Sequence, residues 1–209
     1  MRHYISLALA ITSLVGLLSL SGCKTTTTSV SQKFFDEEIR SVAILPILGM
    51  QDAPFSVSHK MIQSISRSIP QASISDWTIP AQQADNPRRL NDDQQYWLYY
   101  PEISPEVSRA LIKKFGDDNN IDAYLTGRIA SSSRSTLSIG SSTRRKLDMT
   151  VTYLLVTTRG DNPEVIWSST AELHCSGNQK VFIEKAQKAF EQLTDELLET
   201  MPVKLSGNP

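Results

Sequence analysis

The start of this chain decides which residues are available to fold. A basic opening, Met1-Arg2-His3, leads into an apolar run from Tyr4 to Leu20 that is broken only by Ser6, Thr12, Ser13, Gly16 and Ser19. Ser21 and Gly22 then place small side chains ahead of Cys23. A charged start, an apolar centre and small residues before a cut make a secretory signal peptide. The apolar run is slightly short for a stable spanning helix, and its far flank lacks the residues that would hold one in place. Fold reasoning therefore begins at Cys23.

The four residues Leu20-Ser21-Gly22-Cys23 resemble the lipobox of bacterial lipoproteins. The resemblance implies diacylglyceryl transfer to the Cys23 sulfur, cleavage between Gly22 and Cys23, and acylation of the new amino group. Each buried methylene adds about 0.8 kcal/mol, so several chains anchor where one holds weakly. By the same resemblance Lys24, standing where an Asp favours inner-membrane retention, points to the outer membrane of a Gram-negative bacterium and a periplasm-facing domain.

Charge excludes one class of partner. Removing residues 1–22 takes Arg2 from the 21 basic residues and leaves 20 against 22 acidic ones. A nucleic-acid binder shows a strongly basic face, and this near-neutral chain gives no support for one. Cysteine use fits an exported protein. With Cys23 acylated, Cys175 has no partner in the chain and reads as a buried structural thiol. His174 is its neighbour, but adjacent residues on a strand point to opposite faces.

Residues 24–39 read as a flexible tether, because the hydroxyl run Thr25–Ser29 has nothing to bury. Phe34-Phe35 is expected to dock at the domain edge. A globular domain then spans 40–202, with a tail at 203–209. Ser41–Leu48 is a nearly continuous apolar strand, suited to cover on both faces, and Pro46 interrupts its ladder. Val57, Met61, Ile65 and Ile69 fall four apart, which predicts a helix capped by Ser56 or Ser58. Ser73–Ile79 is a short strand. Ser104-Pro105-Glu106 opens a helix whose predicted inner face is Val107, Leu111 and Phe115, ending at Gly116. Ile121–Ile129 is a strand in which Gly127 marks a bulge or a close approach. Ser131–Arg145 forms the ends and tip of a long hairpin. Leu147, Met149, Val151, Tyr153 and Leu155 alternate with polar residues, the pattern of a half-buried antiparallel strand. Val165–Cys175 is the next strand, and residues 178–201 form the closing helix. The predicted class is α/β (α+β), a mixed sheet with helices on one face, in the order βαβαβββα.

Three pieces of this order carry a second resemblance. Val42-Ala-Ile-Leu-Pro46, Asp122-Ala-Tyr-Leu-Thr-Gly-Arg-Ile129 and Val165-Ile-Trp167 are similar to segments of the TolB-N-terminal-like, curli-secretion-like periplasmic lipoproteins, a group that includes penicillin-binding-protein activators. The resemblance covers most of residues 40–200. It implies an anticodon-binding-domain-like fold and a role in envelope assemblies, and it brings no catalytic residues.

Three functions are weighed. The first is a non-catalytic adaptor or regulator, anchored in the membrane through Cys23 and touching another envelope protein. Its candidate contacts are Tyr96, Trp97, Tyr99 and Tyr100, and the basic group Arg134, Arg144, Arg145 and Lys146. The bland reading of the aromatic cluster is core packing, and that of the basic group is a solvated hairpin end. The second is a curli-secretion-like pore, but a crossing strand needs an apolar residue at every second position, and 131–145 is rich in Ser, Thr and Arg. The third is an envelope hydrolase with a carboxylate site. No Gly-x-Ser-x-Gly elbow or phosphate-cradling loop is present, and no spacing of His, Cys and carboxylates resembles a metal site. The expectation is no catalytic residue, cofactor or metal. Oligomeric state is not readable.

Overall fold

The computed structural model describes residues 26–49, 55–78, 97–102, 105–139, 142–160 and 163–204. Six strands run through them: β1 (Thr26–Val30), β2 (Ser41–Leu48), β3 (Ser73–Asp76), β4 (Ala123–Ile139), β5 (Ser142–Thr157) and β6 (Val165–Asn178). The helices are α1 (Lys33–Asp36), α2 (Phe55–Ser68), α3 (Pro105–Asn119) and α4 (Phe182–Glu199), with one further helical turn over 97–99. From Ser41 onward, that turn aside, the order is the predicted βαβαβββα.

The strands form one mixed sheet in the order β1-β6-β5-β4-β2-β3. β2 pairs in parallel with β3 and β4, and the remaining neighbours are antiparallel. The helices lie on both faces of this sheet, not on one as predicted. Val42, Ile44 and Ile47 of β2 share a core with Val57, Met61 and Ile65 of α2, with Ile69 just past it, and with Phe190, Leu193 and Leu197 of α4. The alternate residues Ala43 and Leu45 share a second core with Ile112 and Phe115 of α3, together with Leu98 and Tyr99. Topology explains the split. The chain leaves β2 for β3 on one side and then returns past β2 to β4 on the other. Crossovers of one hand that travel in opposite directions must place their helices on opposite faces.

The predicted tether is a second correction. Residues 26–30 pair antiparallel with β6, Thr26 opposite Ala171 and Val30 opposite Trp167. All five residues are exposed, so the strand is held mainly by its backbone, with the Thr28 and Ser169 hydroxyls meeting at 3.2 Å, and covers what would be a bare sheet edge. Phe34 of α1 and Ile39 are fully buried in the core shared by α2 and α4. The carboxyl-terminal residues lock the same arm down. The Lys204 ammonium donates to the Phe34 carbonyl at 2.8 Å and to that of Glu37, while the Lys204 amide donates to the Ser68 carbonyl. The ordered body therefore reaches from Thr26 to Lys204, wider than the predicted 40–202.

Details of packing account for other departures. In α3 the inward residues are Ser108, Ile112 and Phe115, whereas Val107 and Leu111 are exposed. The helix runs on through Gly116 and stops at Asn120, whose φ is 53°. Gly116 lies inside because the Ile121 carbonyl would be 2.9 Å from a Cβ there and the Thr158 side chain closer still. Asp117 and Asp118 pair with Lys113 and Lys114 one turn back. Ser56 is not seen as a cap: its hydroxyl donates to Glu191 of α4 at 3.0 Å. Pro46 falls where the β2–β4 register shifts, as a residue without an N–H should, and pairing resumes at Ile47.

Gly127 is the site of a close approach. Its register partner is Tyr153, whose ring would stand 2.8 Å from a Cβ at 127. The ring cannot withdraw, because it is fully buried and its hydroxyl meets Thr194 of α4 at 2.9 Å. Gly127→Ala is therefore expected to lower unfolding stability by about 1–3 kcal/mol, the usual cost of overpacking. Denaturant titration of both proteins measures this, and an unchanged midpoint would refute the fit.

Candidate functional site

Cys23 and Gly22 lie outside the described residues. Cys23 nevertheless stands only three residues ahead of Thr26, where β1 begins. An extended chain spans at most about 3.6 Å per residue, so the Cys23 Cα lies within about 11 Å of the Thr26 Cα. β1 runs antiparallel to β6, so the Thr26 end of β1 lies beside Ala171, and β6 runs on from there to Asn178.

The aromatic cluster is largely internal. Tyr96 lies outside the described residues. Tyr99 is 2 % exposed and Leu98 is equally buried, while Trp97 and Tyr100 are half-buried. Tyr99 donates its hydroxyl to the Pro46 carbonyl, and Tyr124 donates to the Leu98 carbonyl at 2.9 Å. Burial drives the phenols of Tyr99 and Tyr124 well above their usual titration range, so both stay protonated donors. Arg128 fastens the segment from the sheet side. Its guanidinium donates to the Tyr99 carbonyl at 2.7 Å, pairs with Glu102 at 2.5 Å and sits 4.8 Å from the centre of the Tyr100 ring. Tyr99 thus cannot be a partner contact, and Arg128, which the sequence did not single out, explains why these rings turn inward.

The basic group divides between the two sheet faces. Arg144 and Lys146 stand in cross-strand rows with Leu137 and Ser135 of β4 and with Asn178 and Ser176 of β6. Arg134 and Arg145 belong to the opposite face, that of Leu147 and Cys175. Arg134, Arg144 and Lys146 are exposed and Arg145 is half-buried. β4, β5 and β6 carry these residues beyond β2 and β3, because β2 stops pairing with β4 at Arg128. Residues 133–138 are all exposed.

His174 and Cys175 separate as strand geometry requires. Cys175 is buried with Leu147 and Phe182. On the other face the His174 Nδ1 lies 2.7 Å from Asp148 and its Nε2 3.3 Å from Glu172, with Lys146 2.9 Å from Asp148. The hydrogen bond with Asp148 raises the His174 pKa, and Lys146 followed by His174 lowers that of Asp148. This is an exposed ion cluster on an open sheet face lined also by Thr152 and Thr170, whose hydroxyls meet at 2.9 Å. Asp122 serves the fold, since its carboxylate accepts the backbone N–H groups of Arg40 and Ser41 at 2.7 and 3.1 Å and holds Arg159. A shallow recess of about 370 Å³ lies between the amino ends of β2 and β3 and the end of α3, lined by Ser41, Ser73, Ser75, Trp77 and Asn120. Among the described residues no group of His, Cys, Asp and Glu is placed to hold a metal ion, and no helix is long and apolar enough to cross a membrane.

No family model matches the sequence, and no curated protein does. Solved structures do match. A PelC dodecamer from Paraburkholderia phytofirmans is similar at 12% identity and a TM-score of 0.46, covering 87% of this chain and 99% of that one. The lipoprotein GNA1162 from Neisseria meningitidis is similar at 12% identity and a TM-score of 0.35, covering 75% of this chain and 99% of that one. A minor lipoprotein from Acinetobacter baumannii matches at 10% identity and a TM-score of 0.31, covering 77% of this chain and 87% of that one.

Proposed function

We propose that the mature chain begins at an acylated Cys23 and works in the outer membrane of a Gram-negative bacterium as a periplasm-facing, non-catalytic adaptor or regulator of an envelope assembly. The observation that carries this reading is the Leu20-Ser21-Gly22-Cys23 motif set directly against an ordered body. The resemblance of residues 42–46, 122–129 and 165–167 to the TolB-N-terminal-like and curli-secretion-like lipoproteins supports a role in cell-wall synthesis or in secretion and transport.

The surface that suits a protein partner is the outer part of β4 with the open face beside it. Ladder pairing with β2 ends at Arg128 and Gly49 packs on Ile129; beyond that the described residues give β4 no paired strand on the β2 side, and a free strand edge accepts another chain by main-chain hydrogen bonding. Photo-crosslinkers placed at exposed Ser133 and Glu172 in living cells test this. The expected result is capture of the same envelope protein from both positions, with loss of envelope integrity or transport when residues 26–204 are deleted. Capture of lipid alone, with no effect of the deletion, would overturn the adaptor. Measured turnover on peptidoglycan would replace it with an enzyme.

A further inference from the structure

We propose that the end of the molecule formed by the β4–β5 hairpin tip and the β6–α4 turn is a docking surface for anionic phospholipid headgroups. The proposal rests on the anchor at Cys23 for its orientation, but its contacts are this chain's own. Among the described large apolar side chains the three most exposed are Ile183 at 72%, Leu137 at 60% and Val181 at 54%. All three lie at this one end. Leu137 pairs with Arg144, Arg144 pairs with Asn178, and the Gln179 amide donates to the Thr143 carbonyl at 3.2 Å. Val181 and Ile183 follow within five residues of Asn178. Basic side chains surround them: Arg134, Arg144 and Lys180 have no carboxylate at ion-pair distance among the described residues, and Lys185 reaches the Ser176 carbonyl at 2.9 Å.

Exposed apolar tips ringed by unpaired cations match a headgroup layer, where the charges meet phosphate and the tips enter the acyl boundary. The point at which the anchor joins the body agrees. β6 continues seven residues past Ala171, the partner of Thr26, to Asn178, about 23 Å of strand. Cys23 stands only three residues ahead of Thr26, so an anchor at Cys23 attaches within about 11 Å of the Thr26 end of β1, and the body cannot stand off on a long tether.

The test uses the mature lipoprotein in vesicles of phosphatidylethanolamine and phosphatidylglycerol, with an environment-sensitive dye on Leu137→Cys, Ile183→Cys or, as a control on α3, Val107→Cys. Nitroxide-bearing lipids should quench the dye at 137 and 183 at least about twofold more than at 107, as contact with a lipid surface demands. Equal quenching at all three positions in vesicle-bound protein overturns the proposal. So does preferential capture of an acidic protein from position 144 with no quenching at 137 or 183. Intact mass of the amino-terminal peptide reports on the anchor separately. A second arm uses the chain from residue 23 expressed without acyl groups. It should bind the phosphatidylglycerol vesicles and not phosphatidylcholine ones, and Arg144→Gln with Lys180→Gln should weaken that binding about thirtyfold, the contribution of two basic residues near a charged surface. Unacylated chain that binds both vesicle types alike also overturns it.

Discussion

Placed behind a conventionally cleaved secretory signal, Cys23→Ser is expected to leave the protein soluble in the periplasm, and the unaltered protein is expected to stay with the outer membrane through washing. The difference is close to all-or-none. A thioether-linked diacylglycerol and an amide-linked acyl chain bury several tens of methylenes, each contributing about 0.8 kcal/mol. The polypeptide offers much less in their place: three exposed apolar side chains and a few unpaired cations at the hairpin end. What electrostatic attraction remains falls away in about 1 M salt, where the screening length is near 3 Å. Fractionation with and without salt measures the effect, and intact mass checks its cause. A native amino terminus at Cys23 carrying no acyl mass, or a native chain that starts elsewhere, removes the basis of the proposed address.

How much of this was legible in the sequence depends on which force holds each part. Burial of apolar side chains leaves a periodic trace. Thus β2, with both faces covered, reads as an unbroken apolar run, β5 as alternation up to Tyr153, and α2 as a stripe of Val57, Met61 and Ile65 that continues to Ile69 just past its end. Backbone pairing leaves none. Thr26–Val30 adds a strand chiefly through main-chain hydrogen bonds, helped by the Thr28–Ser169 hydroxyl pair, and its side chains look the same as those of a solvated linker. The side of the sheet that each helix covers depends on strand order, which a linear pattern does not contain. The candidate contacts divide along the same line. The hairpin end was visible as a polar stretch with basic residues, but that Leu137 is joined there by Val181 and Ile183 follows only from the pairing of Arg144 with Asn178. For Tyr99 core packing was the commoner fate to expect, but nothing local showed what would hold it inside; Arg128, 29 positions away, does so through the Tyr99 carbonyl.

Phe34→Ala is expected to separate an ordered arm from a tether with the second-largest effect. In a tether the change would cost nothing measurable. Here the Phe34 ring is fully buried in the core beneath α2 and α4, and removing such a ring costs about 3–5 kcal/mol. The loss has a local signature as well. α1 is one turn long and cannot hold itself together, so without its anchor the carbonyls of Phe34 and Glu37 leave Lys204, and β1 keeps only its pairing to β6. Lys204 has 7 % exposure, and burial lowers its pKa despite the neighbouring Glu37, so an ammonium robbed of these carbonyls is destabilising in its own right. Amide exchange at Thr26–Val30 should accelerate far more than exchange in β4 and β5, and proteases should cut between residues 31 and 39. Whenever that remaining pairing opens, the variant would hang on the membrane by a leash of about sixteen residues in place of three, a reach of about 55 Å at full extension. Dye quenching at Leu137→Cys and Ile183→Cys should then fall while the acylated protein stays bound. If Phe34→Ala leaves stability, exchange and quenching unchanged, the arm is not the fixed link between anchor and body described here.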